Sequence, residues 1–211
     1  MGEKPEKISE SVVRRLPIYL RYCHQLQKND VKTVSSKKLG ELLQLNPAQI
    51  RKDLAYFGEF GRKGVGYEVD YLVSKIEQIL HVDQIIPIVV IGAGSMGHAL
   101  CKYNDYLKQH MQIVAILDHD HAKVGKVVHH LQVEHIDQLN EIVAERKIKI
   151  GIIAVPSHAA QDVCNQLMDA GIHAILNFAP IRLKTRPGVR VQQTDVARDL
   201  HTLAFYLTGE E

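Results

Sequence analysis

The chain has 211 residues, 45% of them hydrophobic, and a formal net charge of +2. That length allows one large domain or two small ones, each with a packed core. The longest apolar run, Ile85 to Ile91, falls far short of the roughly 20 residues that span a bilayer, and the charged stretch from Glu3 to Glu10 has no signal-peptide pattern, so the expected location is the cytoplasm.

The charge is unevenly divided. Residues 1–67 carry 13 Lys/Arg against 7 Asp/Glu, a net of +6; residues 68–211 carry 13 against 17, a net of −4. A basic module that meets an anion and an acidic module with another task are expected. Cys23, Cys101 and Cys164 are isolated, without metal or redox spacing, and fit a reducing compartment.

Val12, Leu16, Tyr19, Cys23 and Leu26 recur at helical spacing. Pro17 lies inside that pattern, so the helix is expected either to start near it or to kink there. "SKKLGELLQL" reads as a short helix capped by Ser35 or Ser36. Asn46 as cap, Pro47 at the first helical position and Gln49 three residues after Asn46 then predict a further helix to about Phe57. Ile50, Leu54 and Phe57 share one face of it. Gln49, Lys52, Asp53 and Tyr56 share the opposite one, with Arg51 at the flank. Two short helices with a short connection and a polar second member indicate a helix-turn-helix.

"FGEFGRKGVGY" follows. Strands in "GEF" and "GVGYEV" around a tip of Gly61, Arg62, Lys63 and Gly64 make a hairpin, hence a wing. No helix start and no Lys-Ser/Thr follow the last glycine, so the stretch is not a P-loop. Cations gathered on a second helix and a hairpin tip are placed for the major and minor grooves of DNA. The candidate DNA contacts are Ser35, Ser36, Gln49, Arg51, Lys52, Tyr56, Gly61, Arg62, Lys63 and Gly64.

Val69, Leu72, Ile76, Ile79 and Leu80 mark a linker helix. The pattern then alternates: strand "IIPIVVI", helix "SMGHALCKYNDYLK", strand "QIVAIL", helix "DQLNEIVAERK", strand "KIGIIAV", helix "HAAQDVCNQLMDAG", strand "HAILNF". Continuous apolar strands between helices predict a parallel sheet covered on both faces. The fold class is α/β with an all-α-type, winged helix-turn-helix domain in front of a Rossmann sheet. The terminal "DVARDLHTLAFYLTG" is a helix that is apolar on more than one side.

"VVIGAGSMGHAL" sets Gly92, Gly94 and Gly97 in a GxGxxG pattern between a buried strand and a helix. Gly92 allows the tight turn, Gly94 lets backbone approach a pyrophosphate, and Gly97 lets helix pack on strand. Ala93, Ser95 and Met96 complete the candidate cradle at a helix N-terminus. Asp118 ends the next strand 21 residues after Gly97. It is expected to accept the adenosine ribose hydroxyls and to favour NAD over NADP, with Asp120 able to share the role and Lys123 close by. The His119/His121 and His129/His130/His135 groups lack nearby cysteines, and no metal is expected.

"SSKKLGELLQLNPAQIRKDLAYFGEFGRKGVGYEVDYL", "IGAGSMGHAL", "AILDHDHAKVGKVV", "IIAVPSHAAQ" and "ILNFAPIRL" closely resemble the Rex family of bacterial redox-sensing transcriptional repressors, from about Ser11 to Leu207. The resemblance implies a homodimer with winged-helix, Rossmann and swapped C-terminal helix portions, here 1–80, 81–194 and 195–211; a helix packed on its own domain is the alternative. It implies binding to an A·T-rich inverted repeat, weakened by NADH, with NAD+ competing for one site. Arg51 and Lys52 match the recognition-helix pair. Lys63 matches a wing position commonly held by Arg, with Arg62 beside it. Val155 and Pro156 fall in the matched "IIAVPSHAAQ" segment, and Asn177 and Phe178 open the "NFAP" segment beside the nicotinamide. Tyr103 and Asp195 match a pair that meets across the dimer in one redox state. Ser95 stands where relatives carry Asn or Arg and cannot supply the charge of an Arg there.

The competing reading is a small NAD-dependent oxidoreductase. About 110 residues follow Gly97, which leaves no evident substrate domain, and His158 and His173 have no visible partner. Catalysis is therefore not expected. A scaffold that turns the basic module toward acidic protein has no supporting motif.

Overall fold

The computed structural model describes residues 8–58, 61–62, 65–107 and 110–207. The chain divides into two compact units, Met1–Gln84 and Ile85–Glu211.

The first unit begins with α1 (Glu10–Lys28), capped by Ser9, whose hydroxyl accepts from the Val12 N–H. Pro17 lies inside α1. The helix starts seven residues earlier than the expectation that places its start near the proline. Val12, Leu16, Tyr19, Leu20 and Cys23 form its buried stripe. Strand β1 (Thr33–Val34) precedes α2 (Ser36–Leu43), with Ser35 as the cap. Gln44 closes α2 in the left-handed region, φ 54°. Asn46 then caps α3 (Pro47–Ala55), and the Pro47 ring occupies a position where a helix needs no N–H.

Strands β2 (Gly61–Arg62) and β3 (Gly66–Glu68) pair antiparallel, Gly61 opposite Tyr67 and Arg62 opposite Gly66. The strand expected in "GEF" includes Glu59 and Phe60, which lie outside the described residues; the one expected in "GVGYEV" contains β3. Gly61 and Arg62, expected at the tip, belong to a strand. Lys63 and Gly64 lie outside the described residues. β1 adds to β3, giving the order β1-β3-β2. Helix α4 (Val69–Leu80) buries Val69, Leu72, Val73 and Ile76. The unit is a winged helix: three helices, a small antiparallel sheet and a following helix.

The second unit is built on β4 (Ile86–Ile91), β5 (Met111–Asp118), β6 (Val127–Val128), β7 (Leu131–His135), β8 (Ile150–Ile153), β9 (Ala174–Asn177) and β10 (Arg190–Gln193). Their order is β10-β9-β8-β4-β5-β7-β6, parallel throughout except for the β6–β7 pair. Helices α5 (Ser95–Leu107), α6 (Leu139–Glu145) and α7 (Ser157–Asp169) connect them. Side chains alternate across a strand. Val89 and Ile91 therefore join Leu117, Ile153, Val163 and Leu167 in one core, while Ile88 and Val90 join Cys101, Ile113 and Ile116 in the other. Both faces are apolar, which explains the uninterrupted "IIPIVVI".

Chain order reverses on either side of β4, toward β5 in one direction and β8 in the other. Ligand crevices form outside the carboxyl ends of strands at such a switch point. The unit ends in α8 (Val196–Leu207), none of whose residues is buried. Among the described residues no helix is long and apolar enough to cross a membrane.

All three cysteines are free and buried. Burial pushes the Cys23 thiol up to about 12 and Cys101 up to about 11, and raises Cys164 as well. The thiolate is the reactive form. A disulfide-exchange reagent at pH 7.5 is expected to label these thiols only at the rate of unfolding; labelling within seconds of mixing the folded protein would contradict their sealed position.

Candidate nucleic-acid interface and nucleotide crevice

On α3, Arg51 and Lys52 are exposed. The Arg51 guanidinium donates through Nη1 to the Ser36 hydroxyl at 2.9 Å, so the first turn of α2 orients it. Ser35 is occupied as a cap, accepting from the Lys38 N–H at 3.1 Å. Tyr56 closes α3 and is 39% exposed. Gln49 is exposed too. These candidate contacts share one helix and its approach. Gly61 and the backbone of Arg62 lie in β2 of the adjoining wing.

Asp53 departs from the expectation that it shares the polar face. It is fully buried. Its carboxylate accepts from Arg15 Nε and Nη2 at 2.5 and 2.9 Å, from the Tyr19 hydroxyl at 2.6 Å and from Gln49 Nε2 at 2.6 Å. Burial alone would raise its pKa; the bonds from Arg15, Tyr19 and Gln49 outweigh that and hold it below the usual carboxylate range. The physical reason for the inward turn is electrostatic. An acid on the outer face would repel phosphate, whereas inside it finds a guanidinium on α1.

In the second unit the loops at the carboxyl ends of β4, β5, β8 and β9 converge. Gly92 has φ +111°, and a Cβ there would strike the Ala154 carbonyl. A Cβ on Gly97 would strike the Gly92 carbonyl. Both contacts demand glycine. A Cβ on Gly94 would meet nothing within 4 Å, since it would point into open space at the mouth of the turn. Gly94, Ser95 and Met96 are exposed, and α5 starts here, so its first-turn N–H groups lack intrahelical partners. This is a concave, donor-rich cradle of the kind that takes phosphate. The buried Ala93 supplies its N–H to Asp118 instead.

Asp118, the expected ribose acceptor, is turned inward at the end of β5. It is 4% exposed and already accepts from three donors. Oδ2 accepts from the Ala93 N–H at 2.7 Å and from Lys123 Nζ at 2.9 Å; Oδ1 accepts from the Asp120 N–H at 2.9 Å and faces His119 Nδ1 at 3.3 Å. A carboxylate has about four lone-pair sites. Asp118 thus braces the glycine turn, and Asp120, whose side chain is 42% exposed, is the acid at the rim. Burial pushes Asp118 upward, but the Asp120 N–H, the Lys123 ammonium and the Ala93 N–H together hold it below the ordinary range.

Val155 and Pro156 come one residue after β8, beyond Ala154, and the Phe178 N–H donates to Ile153 O, stitching the β8 and β9 ends together. Asn177 is wholly buried. Its Nδ2 donates to Ala179 O, Ile181 O and Gln193 Oε1, and its Oδ1 accepts from the Ala179 N–H. Its side chain shapes the "NFAP" turn, leaving Phe178 as the half-buried member. Tyr103 is 54% exposed and stacks on Tyr106, with ring centroids 5.2 Å apart. Asp195 caps α8, accepting from the Arg198 N–H at 3.0 Å. Sequence reasoning missed Arg15, Tyr19 and Gln193. Only Arg15 left a signal, a cation four residues before Tyr19 on the same helix.

Residues 7–55 match the family model described as "Putative DNA-binding protein N-terminus", and residues 83–181 match that described as "CoA binding domain". A redox-sensing transcriptional repressor Rex from Brevibacillus brevis is 53% identical over 205 residues, 97% of this chain and 99% of its own. One from Pelotomaculum thermopropionicum is 41% identical over 208 residues, 99% and 98% of the two chains. The crystal structure of RSP with β-NAD+ and operator DNA has TM-score 0.89 at 36% identity, covering 96% of this chain and 93% of that one. RSP with β-NADH has TM-score 0.84 at 35% identity, covering 96% and 95%. Fold and site together define a class, a regulator that joins a winged helix to a Rossmann domain. The chain belongs to the Rex family of redox-sensing transcriptional repressors.

The Asp118→Asn variant tests the brace. A native carboxyl held below its ordinary value contributes stability above about pH 4, and that contribution fades as pH falls through the depressed value. The variant is expected to lose about 1–3 kcal/mol in urea unfolding at pH 7, with the gap from the parent narrowing toward pH 3. A gap independent of pH would mean that charge has no part in it.

Proposed function

We propose that this protein represses transcription as a homodimer that binds operator DNA through its winged helices and lets go when NADH enters the Rossmann crevice. The carrying observation is the joining of an exposed basic recognition helix and a glycine-turn crevice in one chain, in a family named for redox-sensing repression. RSP, at 36% identity, is described in complex with operator DNA and β-NAD+, and separately with β-NADH.

Arg51 and Lys52 would enter the major groove, with Ser36 holding Arg51 in line. The wing, with Arg62, Lys63 and glycines Gly61 and Gly64, would track the adjacent A·T-rich minor groove. In the crevice the exposed backbone at Gly94, Ser95 and Met96 would face the pyrophosphate, Asp120 the ribose rim, and Val155, Pro156 and Phe178 the nicotinamide end. The bound dinucleotide supplies the signal, because its oxidised and reduced rings differ in charge and planarity. Val196, Leu200, Leu203 and Leu207 are all more than half exposed on α8. An apolar stripe of that extent fits burial against a second copy. Tyr103 and Asp195 would meet across that interface, without the charge that an Arg at Ser95 would add. The chain acts as a sensor and not as a dehydrogenase, in the cytoplasm where operator and nucleotide pool meet.

NADH can shift the dimer only by its differential affinity for two conformations. Coupling of that kind is on the order of 1–3 kcal/mol. Rotation of the subunits would alter the spacing of the two recognition helices, and half-site spacing is strict.

Operator binding measured at fixed salt with each nucleotide tests this. NADH is expected to weaken binding about five- to 150-fold, with NAD+ reversing that effect and no consumption of NADH over hours. Equal binding with and without NADH would remove the switch and leave the DNA reading intact. Arg51→Ala is expected to lower operator affinity by about tenfold or more with NADH affinity unchanged; parallel loss of both would point to misfolding. Because Lys123 neutralises Asp118 and offers a cation near the rim, Lys123→Ala is expected to weaken NADPH more than NADH, and an unchanged NADPH-to-NADH ratio would discount that role.

A further inference from the structure

We propose that Gln49 reads an adenine in the operator and that the buried Arg15–Asp53 pair fixes which edge of its amide faces the groove. The proposal rests on the reading of α3 as the recognition helix. Asp53 sits one helical turn after Gln49 and is fully buried. Its two oxygens face the Arg15 fork, the Tyr19 hydroxyl and the Gln49 amide, all within 2.9 Å.

A carboxylate that meets a guanidinium fork is ionised and can only accept. The Gln49 edge beside it must therefore be the NH2 group, since the reversed amide would set oxygen against oxygen. A glutamine amide is ordinarily free to present either end. Here the chemistry of its neighbour removes the choice. One Nε2 hydrogen is committed to Asp53; Oε1 and the second hydrogen remain. An acceptor and a donor side by side complement the N6 amine and N7 of adenine in the major groove. Guanine presents two acceptors and would bring O6 against Oε1. An unclamped glutamine could turn its NH2 toward guanine; a clamped one cannot.

A buried ion pair contributes little net stability over apolar packing of the same volume. What Arg15 and Asp53 supply is orientation. Arg15 lies on α1, 38 residues from Asp53, and acts as a positioning residue. Arg51 is set separately by Ser36, so the two readers on α3 are aimed by different supports.

The test uses the full-length protein without nucleotide, at fixed salt, and a duplex selected by the parent protein from randomised DNA. Each adenine of the half-site is replaced in turn by guanine and by 7-deazaadenine, which lacks only the N7 acceptor. At one symmetric pair of adenines both replacements are expected to cost about five- to 150-fold in affinity. Gln49→Ala, a change at an exposed position, is expected to erase that penalty. Asp53→Asn and Arg15→Met are expected to bind NADH normally yet to lose most of the adenine-over-guanine preference; Arg15→Lys should recover part of it. An adenine penalty that survives Gln49→Ala, or an Asp53→Asn protein with the parent's preference, overturns the proposal while the DNA reading stands. Failure of the parent to select any duplex overturns both.

Discussion

The N–H of Ala93 ends on the buried carboxylate of Asp118, and the nucleotide crevice is organised around that bond. It ties the glycine turn after β4 to the end of β5. The turn has no freedom to spare, because Gly97 packs on the Gly92 carbonyl and Gly92 on the Ala154 carbonyl. Only backbone fits at those two contacts. At Gly94 the requirement is the reverse: open space that a side chain would fill. One short stretch thus combines tight closure inward with a vacant, donor-rich lip outward. Its position at the reversal of strand order puts the ends of β8 and β9 within the same crevice.

Asp53 and Asp118 follow a common logic in separate units. Each is a buried acid with every oxygen met by donors, and each has a cationic side chain among its partners. A buried charge left partly unpaired would be costly. Fully paired, it holds its neighbours in fixed places. Asp53 holds Gln49 on α3; Asp118 fixes the turn from which Gly94, Ser95 and Met96 project. In both cases the acid is an internal support beside exposed residues.

The sequence made the large elements legible. Alternating apolar strands and helices announced the parallel sheet, and Ser35, Asn46 and Pro47 marked helix starts that the structure reproduces. Glycine spacing located the crevice because each glycine answers a separate steric demand. The less legible parts have physical causes. Strand β1 has two residues and β6 two, too few for a period. Strand β7 alternates polar and apolar beside histidines, and β10 is a half-buried edge strand of mostly polar residues. Gly61 and Arg62 read as tip where the structure has strand because glycine carries no side chain to mark a face. The inward bonds of Asp53 and Asp118 went unseen for one reason. A helical wheel or strand end shows where an acid sits, but not whether a cation 38 residues away, or a lysine across a turn, will draw it inside.

If NADH in the crevice weakens operator binding, operator must weaken NADH binding by the same factor. The most direct measurement is NADH affinity by calorimetry, on the free protein and on the protein saturated with operator duplex. The account predicts that operator lowers NADH affinity by the same factor by which NADH lowers operator affinity in a separate titration. Identical NADH affinities on free and operator-bound protein would contradict it.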